Sequence, residues 1–207
     1  SKQLQKKVLF IMQEAEFQFF TNSVLNELQY GHTITPEFEK RTEEILKNMG
    51  VWECRDRHPF SLSGGQMQKL TLMMAYLSDK PIVVLDEPTA GLDPKGRDII
   101  LEQIKEYHRK TQSTVLLVSH SMEDVAKFAT KILVMDHAEV FCYDTPPKVF
   151  MQADELTKIG LSVPQVTKVF LALREKGIDI RSDVYTTEFA VKTIREYLAG
   201  HRRSLNA

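Results

Sequence analysis

Apolar residues along this chain fall into two kinds of run. Short unbroken ones read as buried strands: Val8–Met12, Pro81–Leu85 and Thr114–Val118. The Pro81–Leu85 run predicts a central parallel strand covered on both faces. The others recur at helical spacing. Thr35-Pro36 is a helix start, after which Phe38, Thr42, Ile45, Leu46 and Met49 share a face until Gly50. A helix after Ser63 carries Met67, Leu70, Met73, Met74 and Leu77. Another opens at Asp93-Pro94 and turns Ile100, Leu101, Ile104 and Tyr107 inward. Ser121 and Asp124 resemble a capping box opening a short helix. An irregular aromatic stretch, Glu14–Phe20, precedes a short helix near Ser23–Leu28. Lys131–Met135 and Glu139–Cys142 read as a hairpin. Beyond Pro146-Pro147 the pattern becomes short helices, with stripes at Val166, Val169, Phe170 and Leu173 and along Phe189–Leu198.

Strand and helix alternate, so the expected class is α/β. The expected organisation is a core over residues 1–150 and a helical C-terminal extension over 151–207. Composition changes little: 43% hydrophobic and 27% charged residues describe an ordinary globular chain. A net charge of −1 gives no reason to expect nucleic acid as a partner. Cys54 and Cys142 match no metal spacing and are expected as free thiols. No apolar run has the length of a membrane-spanning helix.

Three places carry candidate chemistry. Leu62-Ser63-Gly64-Gly65-Gln66 puts a Ser and two glycines at a helix start, where free N–H groups and the helix dipole suit phosphate. Taken locally, the same residues describe an N-cap after a tight turn, which is the commoner case. Asp86 and Glu87 end an apolar strand, where α/β folds place their sites. Strand alternation would point them to opposite sides, one to order Mg²⁺ and the other to polarise a water. A solvated strand end is the plain alternative. His120 follows the third strand and could touch a phosphate oxygen or serve structure. Asp93 reads equally as a helix cap, and Gln13 says nothing by itself.

Together these residues resemble the ABC ATPases. Leu62–Gln66 is similar to their signature motif, and Leu85–Pro94 (LDEPTAGLDP) to their Walker B and D-loop. Val118-Ser119-His120 is similar to the switch-histidine segment, and Met12-Gln13 to the Q-loop. Four motifs in family order are far more specific than any one. Phe17–Phe20, Ser119–Ala126 and Gly160–Thr167 further resemble the ATPase subunits of energy-coupling factor (ECF) transporters, prokaryotic importers of vitamins and metal ions.

The resemblance implies a P-loop NTPase-like core with a helical subdomain at about 20–78, and ATP and Mg²⁺ as ligands. It implies a head-to-tail homo- or heterodimer with a second ATPase subunit, docked on a transmembrane coupling subunit beside a substrate-binding membrane subunit. The chain would then sit at the cytoplasmic face of the membrane. Ser63, Gly64, Gly65 and Gln66 would face the partner's ATP. Asp86 and Gln13 would serve Mg²⁺, and Asp93 would cross the dimer interface. Glu87 would be the general base, His120 the γ-phosphate contact, and Gln13 the link to the membrane subunit.

One family part is missing from these residues. No Gly-x-x-x-x-Gly-Lys-[Ser/Thr] occurs; the single Gly-Gly pair, Gly64-Gly65, runs into Gln66-Met67. The chain starts Ser1-Lys2-Gln3-Leu4, without Met or a signal-peptide pattern, and is expected to be a piece of a longer protein. The alternative is a shortened, nucleotide-defective subunit that only donates its signature motif. A soluble ABC ATPase of DNA repair or translation would need coiled coils or tandem domains that the sequence lacks.

Overall fold

The computed structural model describes residues 6–205, so the reading of Ser1–Leu4 lies outside the described residues. The chain forms two compact units, one up to Ser119 and one from His120.

The first unit is built on three parallel strands in spatial order β1-β2-β3: β1 (Val8–Ile11), β2 (Ile82–Asp86) and β3 (Thr114–Val118). Pairing Ile11 with Leu85, and Asp86 with Val118, brings their carboxyl ends together. Register and alternation place Ile11, Val83 and Leu85 on one face, all buried. The described residues leave the other face partly open: Phe10, Leu116 and Val118 are about half exposed, at 52%, 51% and 50%, and Val84 between them is half-buried. This corrects the expectation of coverage on both faces. An apolar run shows that a strand avoids polar residues; it does not show which of its faces is packed.

Four α-helices with described bounds lie in this unit. They are α1 (Val24–Gln29), α2 (Pro36–Asn48), α3 (Gly64–Ser78) and α4 (Pro94–Thr111). Each starts on a side-chain cap of the kind its sequence predicts. Ser23 accepts from the Asn26 N–H, Thr35 from Phe38, Ser63 from Gln66, and Asp93 from Gly96. The inward residues expected for α4 are all buried. The stripe expected for α3 was too narrow: Gln68, Thr71, Leu72 and Ala75 are buried as well. Helix α3 packs against α1, α2, α4 and β1, so neighbours surround it.

The second unit begins with α5 (Met122–Phe128), whose Ser121 cap accepts from the Asp124 N–H. A hairpin follows, β4 (Ile132–Asp136) with β5 (Glu139–Asp144), and its turn residues His137 and Ala138 have positive φ. Then come α6 (Pro146–Phe150), α7 (Ala153–Lys158), α8 (Gln165–Glu175) and α9 (Thr187–Leu205). One core gathers Ala126, Val134, Val149, Phe150, Leu156 and Val163. Another gathers Phe170, Ile180, Val184 and Ala190. Along α8, Phe170 is buried as expected, whereas Val169 is 55% exposed and Thr167 takes the inner place. The Thr167 hydroxyl donates to the Val184 carbonyl at 2.8 Å, which satisfies the buried oxygen.

Candidate nucleotide site

The turn into α3 fixes Ser63 through a reciprocal cap. The Ser63 N–H donates to Gln66 Oε1 at 2.9 Å, and Ser63 Oγ accepts from the Gln66 N–H at 3.4 Å. Gln66 Nε2 in turn points its donor at the sulfur of buried Cys54, 3.5 Å away. Gln66 is thereby held at both ends of its amide. Ser63 and Gly64 are exposed, and nothing lies within 4 Å of where a Cβ on Gly64 would stand. The helix therefore begins with accessible N–H groups and open space before them, which suits an anion.

The second group lies where β2 ends. Asp86 is the last strand residue, half-buried, and register places it on the sheet's open face. Glu87 has left the strand, with φ at +46°. A non-glycine residue in this left-handed region costs energy, and such residues cluster at functional sites. The strand alternation expected for both acids therefore applies to Asp86 alone. The strain is held by two bonds: the Glu87 N–H donates to the Val118 carbonyl at 3.0 Å, and its own carbonyl accepts from the Ala90 N–H at 3.0 Å.

The chain then turns through buried Thr89 and left-handed Gly91 to Asp93. Asp93 Oδ1 accepts from the Gly96 N–H at 2.8 Å. A Cβ on Gly96 would stand 2.7 Å from that oxygen, so a larger residue there would push the Asp93 carboxylate from its present position. Leu92 Cδ2 lies 4.0 Å from where a Cβ on Gly65 would stand. The end of the acidic turn thus lies near the signature turn. Gly96 and Cys54 are supporting residues that the sequence reading missed, and Leu92 entered it only as part of the D-loop motif. A glycine three residues after a capping Asp was the available signal for Gly96; Cys54 gave none for this role.

Gln13 is exposed just beyond β1, at the strand end that carries Asp86 and Glu87 on the neighbouring β2. His120 is exposed and opens the second unit. No group of three or more His, Cys, Asp or Glu residues able to hold a metal exists among the described residues. The donor set at Asp86 fits Mg²⁺ nonetheless, because Mg²⁺ on a nucleotide takes one or two carboxylates beside phosphate and water oxygens.

A separate aromatic surface follows Gln13. Phe17, Phe20 and Tyr30 are exposed at 72%, 64% and 63%. Phe20 and Tyr30 meet edge to face, with centroids 4.4 Å apart. No helix among the described residues is long and apolar enough to cross a membrane.

Comparison with known proteins bears on the family of the chain. The ABC transporter family model matches residues 1–90. The ECF transporter ATP-binding protein EcfA2 of Caldanaerobacter subterraneus is 41% identical over 204 residues, covering 96% of this chain and 71% of that protein. The EcfA2 protein of Clostridium tetani is 39% identical, covering 93% of this chain and 69% of that protein. Among solved structures, cbiO1 of Clostridium perfringens, described as part of the ABC transporter complex cbiONQ, superposes with a TM-score of 0.65 at 26% identity. That match covers 76% of this chain and 64% of cbiO1. The parallel sheet is therefore that of a P-loop ABC ATPase core, and the chain belongs to the ABC ATPases, as an ATP-binding subunit of the ECF importer family.

Proposed function

We propose that this chain supplies two half-sites to a head-to-tail pair of ATPase subunits that powers uptake of a vitamin or metal ion. The observation that carries the reading is the nearness of two turns: Leu92 Cδ2 lies 4.0 Å from where a Cβ on Gly65 would stand, so the turn that would serve this chain's own nucleotide lies beside the turn that would serve the partner's. Ser63, Gly64 and Gly65 would donate to the γ-phosphate of ATP held by the partner, with Gln66 fixing their turn. Glu87 would take a proton from the attacking water at its carboxylate, and His120 would donate to the γ-phosphate oxygens. Asp93 would cross the pair's interface. Asp86 would hold Mg²⁺ together with Gln13, and the ion would neutralise developing phosphate charge. The protein's contribution is mainly positioning and electrostatics.

The exposed aromatics Phe17 and Phe20, with Tyr30, would receive a helix of a transmembrane coupling subunit, which itself would associate with a substrate-binding membrane subunit. Gln13, at the head of that segment, would sense this contact. The chain would work at the cytoplasmic face of a prokaryotic membrane. Residues 1–150 would form the ATPase domain and 151–207 its extension. Glu87→Gln in the assembled transporter tests the central role. It should retain ATP binding and lose turnover by about 10²–10⁴-fold, the usual weight of a general base. Undiminished hydrolysis would remove Glu87 from that role.

A further inference from the structure

The carboxyl of Glu27 is buried, with the residue 2% exposed, and it lies outside the hydrolytic residues. Burying a carboxylate is costly unless donors satisfy it. Three donors of one dipeptide converge on its Oε2: the Thr21 hydroxyl at 2.7 Å, the Thr21 N–H at 2.9 Å and the Phe20 N–H at 3.2 Å. The Thr21 hydroxyl also lies 3.0 Å from the Ser23 carbonyl, but its single proton belongs on the shorter, charge-assisted contact.

These bonds tie down one end of the segment that begins at Gln13. A second tether, just before it in the chain, is Gln18 Nε2, which donates to the Phe10 carbonyl of β1 at 3.5 Å. Between Gln18 and Phe20, Phe19 is buried at 5% exposure, while Phe17 and Phe20 on either side are exposed. Exposed aromatics on an irregular segment would ordinarily sample many positions, and ordering them on contact would weaken binding. Here Glu27 fixes the Phe20 backbone to α1, the helix whose end residue Tyr30 packs on the Phe20 ring.

We infer that Glu27 is a positioning residue that holds the Phe17–Phe20 face in its docking geometry and couples a load on that face to the segment leading back to Gln13. The inference rests on the proposed docking of a membrane subunit at this face. The experiment compares Glu27→Met, Glu27→Gln and Thr21→Val in the assembled transporter. Met has a similar volume and offers only a weakly accepting thioether sulfur. Gln can place its carbonyl oxygen where Oε2 stands. Thr21→Val removes one donor and leaves the carboxylate.

Three readouts are needed: affinity for the co-expressed membrane subunit, the ratio of ATP turnover in the transporter to that of the detached ATPase pair, and amide exchange at Phe20 and Thr21. Glu27→Met should speed exchange at both amides and weaken association about tenfold, the loss expected when buried donors go unpaired. It should lower the turnover ratio, with Glu27→Gln restoring most of both effects. Faster exchange with unchanged association and ratio would overturn the inference. An equal fall in both turnovers, with the ratio unchanged, would reduce Glu27 to a structural role. If Glu27→Met does not fold, Thr21→Val decides by the same readouts in milder form. The docking reading has its own control: if Phe17→Ala with Phe20→Ala leaves association intact, that reading fails whatever Glu27 does.

Discussion

At the residue scale, the backbone of Glu87 separates structural cost from chemical use. Its φ of +46° is a conformation that glycine adopts freely and β-branched residues resist. Glu87→Val should therefore destabilise the fold by about 1–3 kcal/mol, whereas Glu87→Gly should leave thermal unfolding close to its original midpoint. Both would remove the carboxylate. Equal unfolding midpoints for the two variants would show that the turn is not strained. Asp79, which ends α3 with φ at 50°, behaves differently. Hydrogen bonding by the Arg41 guanidinium, at 2.7 and 2.9 Å, holds its carboxyl below the usual carboxylate range. A depressed carboxylate contributes stability above its unfolded pKa and loses it as pH falls through the folded value. Both side chains are substantially exposed, so the gain should stay below about 1 kcal/mol. The stability difference between the native chain and Asp79→Asn, measured by denaturant titration, should be present at neutral pH. It should vanish in acid below the ordinary carboxylate range.

At the element scale, Gly96 sets helix propensity against a cap. It lies in the first turn of α4, where alanine would ordinarily favour the helix by about 1 kcal/mol. A Cβ there would stand 2.7 Å from Asp93 Oδ1 and displace the carboxylate from the Gly96 N–H. Losing a cap costs about 1 kcal/mol, so Gly96→Ala should gain nothing or lose stability in thermal melts. A clear rise in melting temperature would show that Asp93 caps equally well from another rotamer. Elements of this kind were legible because their signals are local. Thr35-Pro36, Ser63 and Asp93-Pro94 each marked a start that the structure keeps, and Ile100, Leu101, Ile104 and Tyr107 marked an inner face. What stayed illegible depended on neighbours distant in sequence. The burial of Gln68 and Thr71 on α3 follows from the elements that surround it, and the exposure of Leu116 and Val118 from a sheet face that the described residues leave open.

At the scale of the whole molecule, the order of motifs disclosed the ATPase core, because four short patterns in sequence constrain a fold far more than any one. Periodicity could not disclose how the signature turn meets the acidic turn. Gly65 and Leu92 are far apart along the chain, and only tertiary packing brings them together. The supporting contact of Cys54 on Gln66 escaped for the same reason. That arrangement bears on what these 207 residues can bind. The turn proposed to face a partner's phosphate has its cap in place, with Gln66 held by Ser63 and Cys54. The wrapping loop that would hold the chain's own phosphates has no counterpart in this sequence, and without its N–H groups and lysine most phosphate affinity is lost. Titration of this polypeptide alone with MgATP should therefore give a Kd weaker than about 1 mM. Adding an ATPase subunit that carries the phosphate loop should tighten nucleotide binding, because the donated turn then has a phosphate to meet. Ser63→Ala in this polypeptide should reduce that gain. Tight MgATP binding by the chain alone would mean that Asp86, Glu87 and the strand ends hold nucleotide without the loop.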